Sequence, residues 1–486
     1  MAKSKIRAVL LSLLLGALLV APIWLVAYPP LLDYPNHLAR SFVLGHLKDP
    51  GSHLRQFYEA DWGLYPYVAA DVILVGLERV LPAQLAGRVF LSFCVLALPL
   101  AAWFFIRQAN PGEDHMALWA LLLAHNIFFL YGFMSFYLSL AVCFLALGLW
   151  LQYLARPRWA LWCGVLAAMT ALYFTHVFGF SIAALLAIAY ALVARRDFRT
   201  LLLSGLLCLP GALFFLHSRR LRAGTAGEVV FHSFREKIHA LSAIMHGYSA
   251  WLDGITVAAL AGFFLAARWR NTEFRWNYRW LGLAGGLFAV YWALPEGYGD
   301  GAYFDIRVLP AVFTLLLIAA RTGSRGRQLA ALAVLLFLAR TANLTQNFIA
   351  AQPELAGLAR SFSHTPVNAL VLPIVEADDP GEEHLRHPFA HFWAYGIIER
   401  RWFAPYLFHI QGATPLRIRY QAYDPEGFWG LAYEEELDWS RVREDYDYVW
   451  AYNVPRFADE LKEIGELVYA DGRLGLYRVN KPKDEP

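Results

Sequence analysis

Asp33 and His37 are the residues whose types and spacing point most directly to chemistry. They lie in the stretch Leu32–Arg40, directly after an apolar segment from about Ile6 to Tyr28 that is long enough to cross a bilayer. Ionisable groups at such a boundary are costly and are candidates for function. Four residues of separation place both on one face of a helix beginning at Asp33, where a carboxylate and an imidazole can share a proton or a ligand. The structural alternative is that Asp33 caps this helix, with Pro35 in its first turn.

The composition indicates a polytopic membrane protein. Of the 486 residues, 58% are hydrophobic and only 17% are charged, and the mean hydropathy is +0.40. A formal charge of +3 argues against nucleic acid as a partner. The first apolar segment lacks a small-residue cleavage site before Asp33, so we expect it to remain as a transmembrane helix. Arginine far outnumbers lysine, as in GC-rich bacterial genomes, so we expect a location in the bacterial inner membrane.

About eleven apolar segments approach the roughly 20 residues that a spanning helix requires. Their basic flanking residues fall in loops that share one side of the membrane, which predicts a cytoplasmic N-terminus and an extracytoplasmic C-terminal region. Residues 65–81 are interrupted by charges, and we interpret them as an amphipathic helix on the outer surface. The predicted spans are 7–28, 84–106, 116–131, 134–154, 158–174, 177–194, 199–216, 251–268, 279–294, 305–320 and 328–346.

We therefore expect a mainly α protein with two parts. Residues 1–349 form the helical membrane domain, with a first outer loop over 29–83, and residues 350–486 form a small extracytoplasmic α/β domain. In the second part, alternating apolar runs predict strands, a hairpin turn at Gly472 and one helix. The predicted strands are Val367–Val375, Tyr446–Tyr452 and Leu467–Val479, and the helix is Phe457–Ile464.

This topology places further polar residues on the same outer side as Asp33. Arg307 begins the tenth span, where it either meets a ligand or snorkels to lipid headgroups. A basic loop over 217–250 is either a solvated face or a phosphate site, because arginine donates two parallel hydrogen bonds to phosphate oxygens. Its candidate arginines are Arg219, Arg220 and Arg222.

Histidines and carboxylates complete the candidates. For the histidines the alternative is a hydrogen bond within the helical bundle, and for the carboxylates the available spacings do not define a metal site. Residues that we expect to line the site are His176, His125, Glu296 and Asp300, and the candidates for holding a Mg²⁺ or Mn²⁺ ion, whose presence stays open, are Glu59 and Asp61.

The pattern resembles the GT-C superfamily of integral-membrane glycosyltransferases, which includes protein mannosyltransferases and lipid A aminoarabinose transferases. The resemblance rests on the architecture and on the acidic first-loop motif at Asp33. It implies an inverting hexosyl- or pentosyltransferase that uses a polyprenyl-phosphate-linked sugar at the outer membrane face and modifies an envelope glycan, lipid or protein. Asp33 would then be the base, with His37 either orienting it or binding substrate, and Arg307 with the arginines of the basic loop would neutralise the donor phosphate. The alternatives are a transporter or flippase and a non-catalytic envelope-assembly protein.

Overall fold

The computed structural model describes residues 2–221, 228–270, 274–299, 301–323, 326–376, 389–424 and 437–481. The chain is mainly helical, as predicted, because most apolar segments lack the glycine, proline and turn clusters that would interrupt a helix. The first helix ends at Trp24 rather than at residue 28, and the predicted amphipathic segment 65–81 contains a helix. The first helices are α1 (Ala2–Trp24), α2 (Tyr34–His46), α3 (Leu54–Phe57) and α4 (Val68–Glu78).

Most of the remaining predicted spans coincide with one helix each. Within the described residues, five helical segments are long and apolar enough to cross a membrane, by length and composition, at Ala83–Ala109, Met134–Ala155, Val177–Arg195, Phe198–Leu221 and Gly326–His364. The helices are α5 (Ala83–Ala109), α6 (Ile127–Leu130), α7 (Met134–Ala155), α8 (Trp159–Thr175), α9 (Val177–Tyr190), α10 (Phe198–Leu221), α11 (Phe234–Ala240), α12 (Ala250–Arg270), α13 (Tyr278–Ala293), α14 (Leu309–Ala319) and α15 (Gly326–Ala350).

The predicted third span, 116–131, is helical and apolar, but it is not one continuous α-helix. A 3-10 helix over Asp114–Leu123 is followed by the single turn α6. Asn126 separates the two, because its side chain accepts hydrogen bonds from the backbone N–H groups of Phe128 and Phe129 at 3.0 and 3.2 Å. An asparagine that satisfies these amides starts a new helix and ends the previous one.

The C-terminal region combines four further helices with a four-stranded sheet. The sheet has the order β6-β8-β10-β9, with β6 parallel to β8 and the other neighbours antiparallel, and three two-stranded ribbons lie elsewhere. The helices are α16 (Gln352–Ser361), α17 (Ala394–Arg400), α18 (Trp439–Asp445) and α19 (Ala458–Ile464), and the strands are β1 (Tyr58–Ala60), β2 (Val229–Val230), β3 (Arg275–Trp276), β4 (Gly297–Tyr298), β5 (Ala320–Arg321), β6 (Val371–Val375), β7 (Leu416–Ile418), β8 (Tyr448–Tyr452), β9 (Gly465–Asp471) and β10 (Leu474–Val479).

The three strand predictions for this region are confirmed, with the first two starting later than expected. Val371 and Tyr448 are the observed first residues of β6 and β8, and the hairpin β9–β10 turns at Gly472, whose φ is +55°. A positive φ favours glycine, which explains why the turn was recognisable in the sequence.

Residues 29–83, which we predict to be the first outer loop, pack directly on the C-terminal region. Strand β1 pairs with β7 across the ribbon, and the Asn36 side chain bridges two backbone groups of the C-terminal region. Its Nδ2 donates to the Tyr406 carbonyl at 3.0 Å, and its Oδ1 accepts from the Phe408 N–H at 2.8 Å. Because Asn36 is completely buried, these bonds fix the start of α2 against residues 404–408.

Helices α2 and α4 are joined by a buried ion pair. Arg40 donates from Nε and Nη2 to the two carboxylate oxygens of Asp71 at 2.9 and 3.2 Å, and both side chains are almost fully buried. The two parallel bonds fix both the distance and the orientation of the helices, so α2 is held on two sides.

Candidate functional site

The backbone holds Asp33 in place. The Leu32 and Asp33 N–H groups donate to the carbonyls of Leu130 and Tyr131 at 3.2 and 3.0 Å. This close approach depends on Gly132, whose φ is +71° and where a Cβ would lie 2.5 Å from the backbone nitrogen of Tyr34. Asp33 precedes α2, but its side chain makes no capping hydrogen bond, so the capping interpretation was wrong. The carboxylate is therefore not used to start the helix.

The Asp33 carboxyl group is buried beside a histidine from the C-terminal region. Asp33 is 7% exposed, and its Oδ1 lies 3.5 Å from Nε2 of His391, which is 2% exposed. Among the residues that the structure describes, Asp33 Oδ1 has no hydrogen-bond partner. Burial raises the pKa of Asp33 to about 8, although the positive charge of Arg307 acts in the opposite direction. Burial likewise lowers the pKa of His391 to about 3, so its imidazole is neutral.

His37 belongs to the same cluster, although no direct hydrogen bond joins it to Asp33. Its ring packs edge-on against Phe408 with centroids 5.2 Å apart, and the Phe408 ring also contacts that of His391 at 5.0 Å. The Nδ1 atoms of both histidines are buried, and neither has a hydrogen-bond partner in the described part of the chain. Burial, together with the charge of Arg40, holds the pKa of His37 well below its usual range. Two neutral imidazoles and one carboxyl group therefore converge here.

Arg307 occupies an aromatic cage. It is 9% exposed, and its guanidinium carbon lies 5.0–5.9 Å from the centroids of four rings, within the range of cation–π attraction. The rings are Phe133, Phe136, Phe178 and Phe304. Nη2 donates to the Ala302 carbonyl at 3.0 Å, whereas Nε has no partner. Among the described residues, no carboxylate forms an ion pair with this guanidinium.

His176, predicted to line the site, contacts Arg307. Its Nε2 lies 2.9 Å from Nη1 of Arg307, and its Nδ1 accepts from the Phe178 N–H at 3.1 Å at the start of α9. A neutral imidazole has only one acceptor nitrogen, so it cannot accept from both groups. Arg307 therefore has more donors than this histidine and the Ala302 carbonyl can satisfy.

The segment between α13 and α14, which carries Arg307, also carries Glu296 and Tyr303. Tyr303 adopts a positive φ of +62°, and its ring contacts that of Tyr131 at 5.0 Å. The Glu296 side chain accepts from the Tyr303 N–H at 3.2 Å, so this predicted lining residue holds the loop. Tyr303 interacts electrostatically with both Asp33 and Arg307, so it lies near both charges. Asp300, predicted to line the same site, is outside the described residues.

Other predicted site residues have different surroundings. His125 is buried between Phe129 and Phe337 with its Nε2 3.0 Å from the Leu19 carbonyl, which is a contact within the bundle. Arg219 and Arg220 are exposed at the end of α10, and none of their described contacts is with Arg307 or Asp33. Arg222 is outside the described residues.

The two predicted metal candidates are engaged with arginines across the β1–β7 ribbon. Asp61 lies 3.0 Å from Arg417 and also accepts from the Tyr65 hydroxyl at 2.8 Å, and Glu59 lies 3.6 Å from Arg419. In the part of the chain that the structure describes, no three histidine, cysteine or acidic side chains are grouped as metal ligands.

Within the basic loop, Lys237 is buried rather than solvated. Its Nζ lies 3.0 Å from Asp305, which is completely buried, and it also donates to the carbonyls of Tyr291 and Leu294. His232 contacts the same carboxylate at 2.9 Å. This network ties the loop to the residues directly before Arg307, so part of the loop supports the cage structurally.

No model of a known protein family matches this sequence, and no curated protein matches it either. The resemblance to GT-C glycosyltransferases therefore stays a prediction. What the site can do has to be argued from its own chemistry.

Sequence reasoning missed His391 as a site residue. The available signal was a histidine inside the aromatic run Phe389–Tyr395, a polar group in an otherwise apolar stretch. Its proximity to Asp33 depends on the contact between the first outer loop and the C-terminal region, which no local pattern encodes.

Proposed function

We propose that this protein is an integral-membrane glycosyltransferase. It moves a sugar from a polyprenyl-phosphate donor to a hydroxyl group of an envelope acceptor, with inversion at the anomeric carbon. In this proposal the chain crosses the bacterial inner membrane about eleven times, with the N-terminus cytoplasmic and both Asp33 and the C-terminal domain outside. The observation that carries the proposal is a buried arginine, Arg307, that has aromatic neighbours where a carboxylate partner would be expected.

A buried guanidinium without a counterion is unfavourable unless a ligand supplies the negative charge. The unpaired Nε and the under-satisfied Nη1 of Arg307 offer donors to the oxygens of a phosphate. The surrounding phenylalanine rings suit the apolar chain attached to such a phosphate. When the sugar leaves, the phosphate gains negative charge, and a fixed guanidinium stabilises that charge without reorganisation.

Asp33 is the base in this proposal. The carboxylate accepts the proton of the acceptor hydroxyl as the oxygen attacks the anomeric carbon, and a positioned base contributes about 10²–10⁴ in rate. A pKa raised to about 8 makes Asp33 a stronger base than an exposed carboxylate. Its electrostatic interaction with Arg307 supports a role for the base and the phosphate-binding group in one site.

The decisive experiment compares envelope glycans and glycolipids by mass spectrometry after depletion of the protein in its source cells. We expect a hexose- or pentose-sized increment to disappear and wild-type protein to restore it. Asp33→Asn should fail to restore it although the protein is present in the membrane. Asp459→Asn, the same substitution at a carboxylate that is 90% exposed, is the matched control and should restore it.

Full restoration by Asp33→Asn would remove Asp33 from the mechanism. Substrate-dependent flux in proteoliposomes without any covalent product would instead identify a transporter. An unchanged glycan profile after depletion, with a defect only in envelope assembly, would support the non-catalytic alternative.

Arg307→Lys tests the phosphate site separately. Lysine keeps the positive charge but loses the planar, multiple donors, so we expect polyprenyl monophosphate to bind about tenfold or more weakly. Binding is measured with the purified full chain in lipid nanodiscs. Unchanged affinity would show that the cage does not hold the phosphate.

A further inference from the structure

The C-terminal region contributes a side chain to the Asp33 site. Residues 404–408 are fixed to the start of α2 by the two Asn36 hydrogen bonds, and the His391 ring packs on Phe408. His391 Nε2 thereby lies 3.5 Å from Asp33 Oδ1, a distance that a movement of about 0.5 Å would convert into a hydrogen bond. The histidine is thus poised beside the carboxylate without being bonded to it.

Three buried polar atoms remain unpaired in this cluster. They are Oδ1 of Asp33, Nδ1 of His37 and Nδ1 of His391. Most buried polar groups in proteins are hydrogen-bonded, and leaving one unpaired is costly. Packing alone does not account for three such atoms on neighbouring side chains, whereas a hydroxyl-bearing ligand that enters the cluster would supply partners.

We propose that His391 is a positioning residue for Asp33: its Nε2–H donates a hydrogen bond to Asp33 when the carboxyl group ionises, and so orients the carboxylate toward an acceptor hydroxyl bound between α2 and the C-terminal region. This inference rests on the proposed glycosyl transfer and assigns the C-terminal region a part in it. The acceptor is recognised here through one hydroxyl group, and the rest of the acceptor lies outside the cluster.

The reaction balances with His391 unchanged. The acceptor oxygen forms a bond to the anomeric carbon while the bond between that carbon and the phosphate oxygen breaks, and its electron pair leaves with the phosphate. The hydroxyl proton passes to Asp33, and the additional negative charge of the phosphate lies at Arg307. His391 keeps its proton throughout and orients the Asp33 carboxylate, which receives the proton of the acceptor hydroxyl.

The charges around the pair define the pH response. Asp33 interacts electrostatically with the cation Arg307 and with the phenol of Tyr303. His391 interacts with the neutral His37, on which Arg40 of α2 also acts. Burial keeps both imidazoles neutral, so Asp33 is the group of this cluster that titrates near neutral pH. A donor at His391 stabilises ionised Asp33, and loss of that donor raises the pKa of Asp33 further.

The test is a titration of Asp33 in the purified full chain by infrared spectroscopy, with Asp33→Asn identifying the carboxyl band. His391→Phe keeps a ring against Phe408 but removes the donor, and we expect it to raise the midpoint of Asp33 by about one pH unit. His391→Gln retains an N–H donor and should restore most of the wild-type midpoint. His364→Phe changes an exposed histidine of the same region and should leave the midpoint unchanged.

An unchanged Asp33 midpoint in folded His391→Phe would overturn the inference, and His391→Met serves as a second donor-free variant if the phenylalanine does not fold. A purely structural role would lower the amount of folded protein in all variants without moving the midpoint. In the pH profile of the transfer rate, the midpoint of the decrease toward acid pH should shift together with the midpoint of the Asp33 carboxyl band. Absence of any transfer by the wild type would reject the proposed function, whereas the infrared midpoint would still test the contact.

Discussion

Replacement of Asp33 by asparagine should make the stability of the protein less dependent on pH. The pKa of Asp33 is raised in the folded state, so the folded protein retains a proton that the unfolded chain releases. Stability then falls as the pH rises from the unfolded pKa to the folded pKa, and it is fully retained only below both. Asparagine has nearly the same shape and no ionisation, so the variant lacks this loss.

The size of the effect follows from the two pKa values. The pKa rises from 3.8 to about 8, and one unit corresponds to about 1.4 kcal/mol. The full cost of ionising Asp33 in place is therefore on the order of 5 kcal/mol, and most of it develops between about pH 4 and pH 8. The burial of Asp33, which is 7% exposed, is the cause of this penalty, and the charge of Arg307 offsets only part of it.

The assay is unfolding of the purified full chain in one detergent at several values between about pH 5 and pH 9. We expect Asp33→Asn to gain stability over the wild type as the pH rises, by about 4 kcal/mol across this range. Asp114→Asn, at an exposed carboxylate, is the control and should run parallel to the wild type. Parallel curves for Asp33→Asn as well would refute the reasoning, because they would mean that ionised Asp33 is solvated or paired.

Two further substitutions test how the site is held. Asp71→Ala leaves Arg40 buried without its carboxylate, so we expect a loss of about 3–5 kcal/mol in chemical denaturation, and a change below about 1 kcal/mol would contradict a buried pair. Gly132→Ala introduces a Cβ 2.5 Å from the Tyr34 nitrogen at a positive φ, and it should abolish transfer and lower the thermal midpoint. Gly112→Ala has a φ of +95° but open space around the new Cβ, so a similar loss there would show that backbone strain alone is responsible.

The helices were largely predictable because their signal is local. Apolar length decides whether a segment forms a long helix, and α5, α7 and α10 begin and end within about five residues of the predicted limits. The third segment is helical but broken in two for an equally local reason that hydropathy does not register. The Asn126 side chain caps the turn α6, which interrupts the α-helical geometry of an otherwise apolar stretch.

The site was predictable only in part. Asp33, Arg307 and His176 were found because an ionisable side chain beside an apolar span is costly and therefore informative. His391 was missed because its burial and its neighbour depend on the packing of the C-terminal region against α2. Lys237 was assigned to a solvated or phosphate-binding loop although it is buried. Its partner Asp305 is distant in sequence, so the pairing cannot be inferred from charge spacing.

Comparison with the other buried cations shows that the surroundings of Arg307 are unusual. Arg40, Arg340 and Lys237 each have a carboxylate within 2.6–3.0 Å, so this fold supplies acids where it buries positive charge. Arg307 is buried to a similar degree, yet within the described ranges its neighbours are aromatic rings, a carbonyl and an imidazole. Asp33 and Glu296 act on it electrostatically, but neither carboxylate forms an ion pair with it among the described residues. A carboxylate in direct contact would block the donors of the guanidinium, so the arrangement favours an anion that arrives with a ligand over one that belongs to the chain.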